Sequence, residues 1–106
     1  MSEPGAAANL TQLSGRLLER GVLRHTPAGI AAIEFRLGHQ SEQIEAESPR
    51  KVECEMSCVA LGTPANLLAD APPGAALRVT GFLAARSLKS RAPVLHVQRI
   101  EFEEGN

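Results

Sequence analysis

From Asn9 to Glu103 the apolar residues fall mostly at every second position, the rhythm of strands with one face on a core and one in water. In NLTQLSGRLLER (9–20), Leu13, Gly15 and Leu17 alternate with polar residues, and Gly15 permits the bend of a long, curved first strand. A Thr-Pro-Ala-Gly turn (26–29) leads into a second strand, where Ile33, Phe35 and Leu37 alternate with Glu34 and Arg36. The next stretch, QSEQIEAESPR (40–50), has no apolar rhythm and contains Pro49, which predicts an exposed loop of eleven residues. Loops of that length inside a small domain are uncommon and often functional. A third strand over 51–61 sets Val52, Cys54, Met56, Cys58 and Ala60 against Glu53, Glu55 and Ser57. Thr63 as a cap, Pro64 in the first position and the Pro72-Pro73-Gly74 stop predict one short helix. Leu77, Val79, Gly81, Leu83 and Ala85 form the inward side of a fourth strand, with Gly81 a second bend. The fifth strand, 93–103, starts with Leu95 and Val97 inward and ends with Ile100 and Phe102 inward, so it needs one extra residue near Gln98, a bulge.

Five strands, one short helix between the third and fourth, and bend-permitting glycines in the first and fourth describe an all-β OB-fold, a small, partly open Greek-key barrel. The domain spans 9–104. Residues 1–8, with Glu3 and Pro4 and no basic stretch followed by an apolar one, form a flexible arm and not a secretory signal. Barrels of this class bind oligonucleotides on the face of strands two and three and on the loops joining one to two and four to five. Here those loops are 21–29 and 86–93, and Arg24, Arg86, Lys89 and Arg91 lie in or beside them.

Composition sharpens this picture. The 106 residues carry 11 bases and 12 acids for a net charge of −1, which taken whole argues against nucleic acid. The charges are segregated, however. From Ala71 to Ile100 the bases are Arg78, Arg86, Lys89, Arg91 and Arg99 with no acid at all, while Glu42, Glu45, Glu47, Glu53 and Glu55 gather in the middle and Glu101, Glu103 and Glu104 at the end. No stretch approaches the roughly 20 apolar residues of a membrane span, so a cytoplasmic protein is expected. Cys54 and Cys58, four apart on one strand, have α-carbons about 13 Å apart, too far to bridge. They read as small buried hydrophobes. The scattered His25, His39 and His96 give no metal-ligand spacing, and no nucleophile, base or carboxylate pair is brought together by strand parity. No metal, cofactor or catalytic residue is expected.

The segments NLTQLSG (9–15), TPAGI with its continuation EFRLGHQS (26–41), CEM (54–56), VTGF (79–82) and VLHVQRIEF (94–102), in this order and spacing, resemble the bacterial primosomal replication protein N (PriB) family. The resemblance implies a bacterial homodimer of OB-folds that binds single-stranded DNA at stalled replication forks. It also implies the PriA helicase as partner, with DnaT and single-stranded DNA-binding protein as further contacts. Carried over position by position, DNA would meet Arg86, Lys89 and Arg91 in the four-five loop, Arg24 before the turn, and Gln40, Arg50 and Lys51 at the base of the two-three loop. The family's aromatic residues in and after that loop are replaced here by Ser48 and Glu53. Of Phe35, Phe82 and Phe102, only Phe82 faces outward by parity. Phosphate contacts should therefore carry most of the affinity, with Glu45, Glu47 and Glu53 opposing them.

The competing reading is a protein–protein adaptor with incidental DNA binding, built on the outward apolar residues Val59, Leu61 and Phe82. Val59 and Leu61, outward on the third strand, are also the expected dimer interface.

Overall fold

The structure, a computed structural model, describes residues 7–103. Most of the expected arm, residues 1–6, and Glu104 at the expected domain end lie outside the described residues. The elements are β1 (Thr11–Arg20), β2 (Arg24–His25), β3 (Ala31–Glu45), β4 (Ser48–Leu61), α1 (Thr63–Leu68), β5 (Ala76–Ala85) and β6 (Pro93–Phe102). The sheet runs β1-β5-β6-β4-β3-β2, and a further β1–β3 pairing closes the first five of these strands into a barrel. All pairings are antiparallel except β4 with β6. This is the OB-fold, with β2 an additional two-residue strand on the outer edge of β3.

Leu17, Ile33, Phe35, Leu37, Cys58, Ala60, Leu77, Val79, Leu95, Val97 and Ile100 fill the barrel, and α1 closes one end with Ala65 and Leu68. Phe35 is core, as its parity requires. β1 serves two neighbours in turn: Thr11–Arg16 pair with β5, Arg16–Arg20 with β3. At the crossover a Cβ on Gly15 would collide with the Gly38 carbonyl, so only glycine lets the backbones meet there. The expected bulge is present: Thr80 pairs with Arg99 and Gly81 with Val97, which leaves Gln98 as the extra residue. Gly81 packs against the His96 carbonyl beside it, a second close approach that no side chain would allow.

Four expectations need correction. Residues 40–50 are not a loop: β3 and β4 stay paired as far as Glu45 and Ser48, and a two-residue turn joins them. Ala46 and Glu47 both have positive φ, 51° and 67°, the sense of turn that matches hairpin twist. Both faces of this ribbon are wet, so its ladder is held by backbone bonds and leaves no apolar signature. Cys54 sits at the base of the ribbon and is exposed, whereas Cys58, four residues further in along β4, is buried. Leu83 is 37% exposed and Phe102 48%, because β5 outruns β1 at one end and β6 has only β5 beside it at the other. At Leu83 the Asn9 side chain stands in for the missing strand, donating to its carbonyl and accepting from its N–H, both at 2.9 Å. Finally, Thr63 does not cap α1; Gly62 occupies that position at φ 77°, with no side-chain bond. No helix among the described residues is long and apolar enough to cross a membrane.

Candidate nucleic-acid interface

Cross-strand register decides which cations are available. Arg24 pairs with Glu34 at 3.4 Å, Arg50 with Glu45 at 3.0 Å, and Arg36 with both Glu19 and Glu55 at 3.2 and 3.1 Å. Arg78 and Arg99 lie in the acid-free half of the sequence, yet β5–β6 pairing brings Arg78 to Glu101 and Glu103, and Arg99 meets Glu101 two residues along its own strand. Arg16 and Arg20 donate to the Gly74 and Ala71 carbonyls. Among the described residues this leaves the side chains of Lys51, Arg86, Lys89 and Arg91 with neither an acid nor a hydrogen-bond partner. Exposed pairs contribute little stability, about 0–1 kcal/mol, but they offset charge that a phosphate would otherwise meet.

Three of those four share the β5–β6 loop. Its base is closed by the Arg86 N–H on the Ala92 carbonyl and its tip by the Ser87 N–H on the Ser90 carbonyl, each at 3.0 Å; the Ser90 N–H also donates to Ser87 Oγ at 2.9 Å. The serines thus satisfy the turn locally and leave Lys89 and Arg91 to solvent, beside Leu88 at 93% exposure. β4 and β6 run parallel, Cys58 opposite Leu95, so the strand entrances lie at one end of the barrel. The β5–β6 loop and the β3–β4 ribbon therefore project from the same end.

From that loop a groove of about 480 Å³ crosses the outside of the barrel, with Arg86, Arg36 and Arg20 against Glu34 and Glu19 on its walls. Arg36 Nε in this wall is buried without a partner, while both terminal nitrogens are held by carboxylates. His96 also lines the groove, and its ring stacks on Phe82 of β5 with centroids 5.1 Å apart and planes 4° from parallel. His39 has a different part: Nδ1 donates to the Ser14 carbonyl at 2.6 Å, and Nε2 accepts from the Ser41 hydroxyl at 2.8 Å, tying β1 to β3.

Comparison with known proteins gives this geometry a family. A model described as another single-strand binding protein family matches residues 9–99. Replication restart protein PriB of Bordetella pertussis is 50% identical over 91 residues, which span 86% of this chain and 85% of that protein. The chain belongs to the PriB family of single-strand binding proteins. The solved structure of the PriB protein from Ralstonia solanacearum superposes with a TM-score of 0.83 at 36% identity, covering 92% of this chain and 100% of that one. A deletion mutant of the single-stranded DNA binding protein from Thermus aquaticus superposes at 0.77 with 26% identity, covering 92% of this chain and 51% of that one.

Against the site expected of a PriB family member, the structure gathers Arg86, Lys89 and Arg91 in one loop and separates the rest. Arg24 pairs through Ala32 at the opposite end of β3 and is joined to Glu34. Gln40 donates to Glu53 at 3.3 Å and Arg50 is held by Glu45, so of the three expected contacts on the ribbon Lys51 alone is unengaged among the described residues. Val59 is half-buried in the groove, in register with His96, while Leu61 is exposed at the far end of β4. Sequence reasoning passed over Arg36 and His96 as wall residues. Their outward parity was the available signal, but it does not say which outward residues converge.

Proposed function

We propose that this chain is a single-stranded DNA-binding protein of replication restart. The observation that carries the reading is the concentration of unpartnered cations in the β5–β6 loop of an OB-fold, next to a groove with three guanidinium groups. The names of the PriB relatives and of the Thermus aquaticus protein support it. The chain itself performs no reaction in this reading; it holds the strand by its phosphates for others to act on. Finer features belong to the same proposal: action with a PriA helicase in the bacterial cytoplasm, DnaT and single-stranded DNA-binding protein as further partners, and a homodimeric state. Arg24, Gln40, Arg50 and Lys51 are secondary DNA contacts, the first three needing to exchange an internal partner for a phosphate or sugar.

The test is a titration with oligo-dT over a range of salt concentrations. Each phosphate contact to a single strand adds about 0.7 to the slope of log affinity on log salt. Replacing Arg86, Lys89 and Arg91 together by alanine should weaken binding at least tenfold at low salt and flatten the slope by up to about 2, with the melting temperature unchanged. Glu45→Gln with Glu47→Gln should strengthen binding slightly, since the first change also releases Arg50. A triple variant that binds as wild type with the same slope would put the adaptor reading first, with the acidic ribbon as the arm offered to a protein partner.

A further inference from the structure

Phe82 and His96 occupy paired positions on β5 and β6, and both point away from the core, because their neighbours Gly81 and Val97 point in. The barrel gains little from this arrangement. Phe82 keeps 36% of its surface in contact with water, and among the described residues its ring partner is the His96 imidazole. The pair presents a flat, weakly polar surface where the alternation of β5 would ordinarily place a polar residue. One side of that surface opens into the groove through His96, and the groove brings Arg86 and Arg36 to the same wall. Phe82 and Ala84 share the outer face of β5, and Arg86 stands one residue beyond the end of the strand, at most about 13 Å along the chain from Phe82.

We propose that the Phe82–His96 pair is a stacking platform for a nucleobase of the bound single strand, with Arg86 taking a phosphate of the same stretch; this deepens the DNA-binding reading and rests on it. The flanking charge argues for this occupant. Arg86 has no acidic partner among the described residues, and Arg36 is fixed in place by two carboxylates with its Nε still unsatisfied. A strand lying along the groove meets cations for its phosphates and one flat aromatic surface for a base, the two components of sequence-tolerant single-strand binding. Every base has a π-face, so such a platform requires no particular sequence. It also supplies on the barrel wall the stacking that Ser48 and Glu53 cannot supply on the ribbon.

The test compares oligo-dT with an abasic deoxyribose-phosphate strand of equal length, using Phe82→Leu, Phe82→Tyr and the Arg86, Lys89, Arg91 alanine triple variant. Phe82→Leu should lose roughly five- to hundredfold in affinity for oligo-dT with an unchanged salt slope, and lose nothing for the abasic strand. Phe82→Tyr should bind as wild type. The triple variant should lose affinity for both strands. If Phe82→Leu weakens both strands equally, or neither, the platform is overturned while the loop reading stands; if the triple variant loses nothing, the loop reading falls. A drop in sedimentation mass for Phe82→Leu would also overturn the platform, since a second copy would then cover this face. Should Phe82→Leu melt too low to assay, His96→Leu carries the same comparison from the other half of the pair.

Discussion

Cys54 and Cys58 show how much chemistry depends on the position of one side chain along a strand. Burial against Phe35 and its neighbours pushes the Cys58 thiol from 9.0 up to about 12, because desolvation disfavours the thiolate. Cys54, outside the barrel, has no such cover. At pH 8 a maleimide should modify one thiol per folded chain and two in denaturant, and Cys54→Ser should abolish labelling of the folded form. Two labels on the native protein would mean that β4 does not seat Cys58 in the core. The same thiol gives a pH effect of definite sign. The unfolded chain releases its proton near 9.0 and the folded one near 12, so its contribution to stability is constant below that window and falls as pH rises through it.

At the scale of elements, what was legible depended on whether one face of a strand meets the core. The parity of Ile33, Phe35 and Leu37 located β3, and the parity switch between Val97 and Ile100 located the bulge at Gln98. The ribbon was not legible, because neither face is buried and its Ala46-Glu47 turn lacks the Asn-Gly signal. Nor was the pairing of Arg78 with Glu101 and Glu103, which depends on register between segments more than twenty residues apart. The loop cations were legible in the sequence as an acid-free run, but only the register shows that Arg78 is neutralised across the strands, while Arg99 meets Glu101 on its own strand and Arg86, Lys89 and Arg91 meet no acid among the described residues. These two kinds of element should respond differently to damage. Replacing residues 41–52 of the ribbon by a tight Asn-Gly turn removes side chains that are almost all exposed, so the melting temperature should stay within a few degrees. Phe35→Ala empties a core site, costs roughly 3–5 kcal/mol, and should lower it by more than about 10 °C. The opposite ranking in a thermal melt would mean that the ribbon, and not the barrel, holds the fold.

At the scale of the molecule, a net charge of −1 coexists with a basic edge because most charges cancel in neighbouring pairs and the remainder collect at one end. The radius of gyration is 15.0 Å where a globular chain of this length has about 13 Å, which fits a barrel with a projecting ribbon. Such a shape leaves apolar side chains on the outside: Leu61 is 48% exposed, and Leu10 and Val22 are more so. Pairing of two copies through β4 would cover Leu61, and an apolar side chain left in water there is a reason for a small domain to associate. The proposed interface residues Val59 and Leu61 are not equivalent in this respect. Val59 also lines the groove, in register with His96, so an aspartate there would place a negative charge beside Arg86 as well as in the interface. Leu61 lies outside that groove. Leu61→Asp should therefore shift the sedimentation mass towards the monomer and leave the affinity per chain for a short oligo-dT near wild type. Val59→Asp with Leu61→Asp should shift the mass further and also weaken DNA binding. A wild-type protein that sediments as a monomer at tens of micromolar would overturn the dimer. A Leu61→Asp variant that stays dimeric would move the interface elsewhere on the barrel.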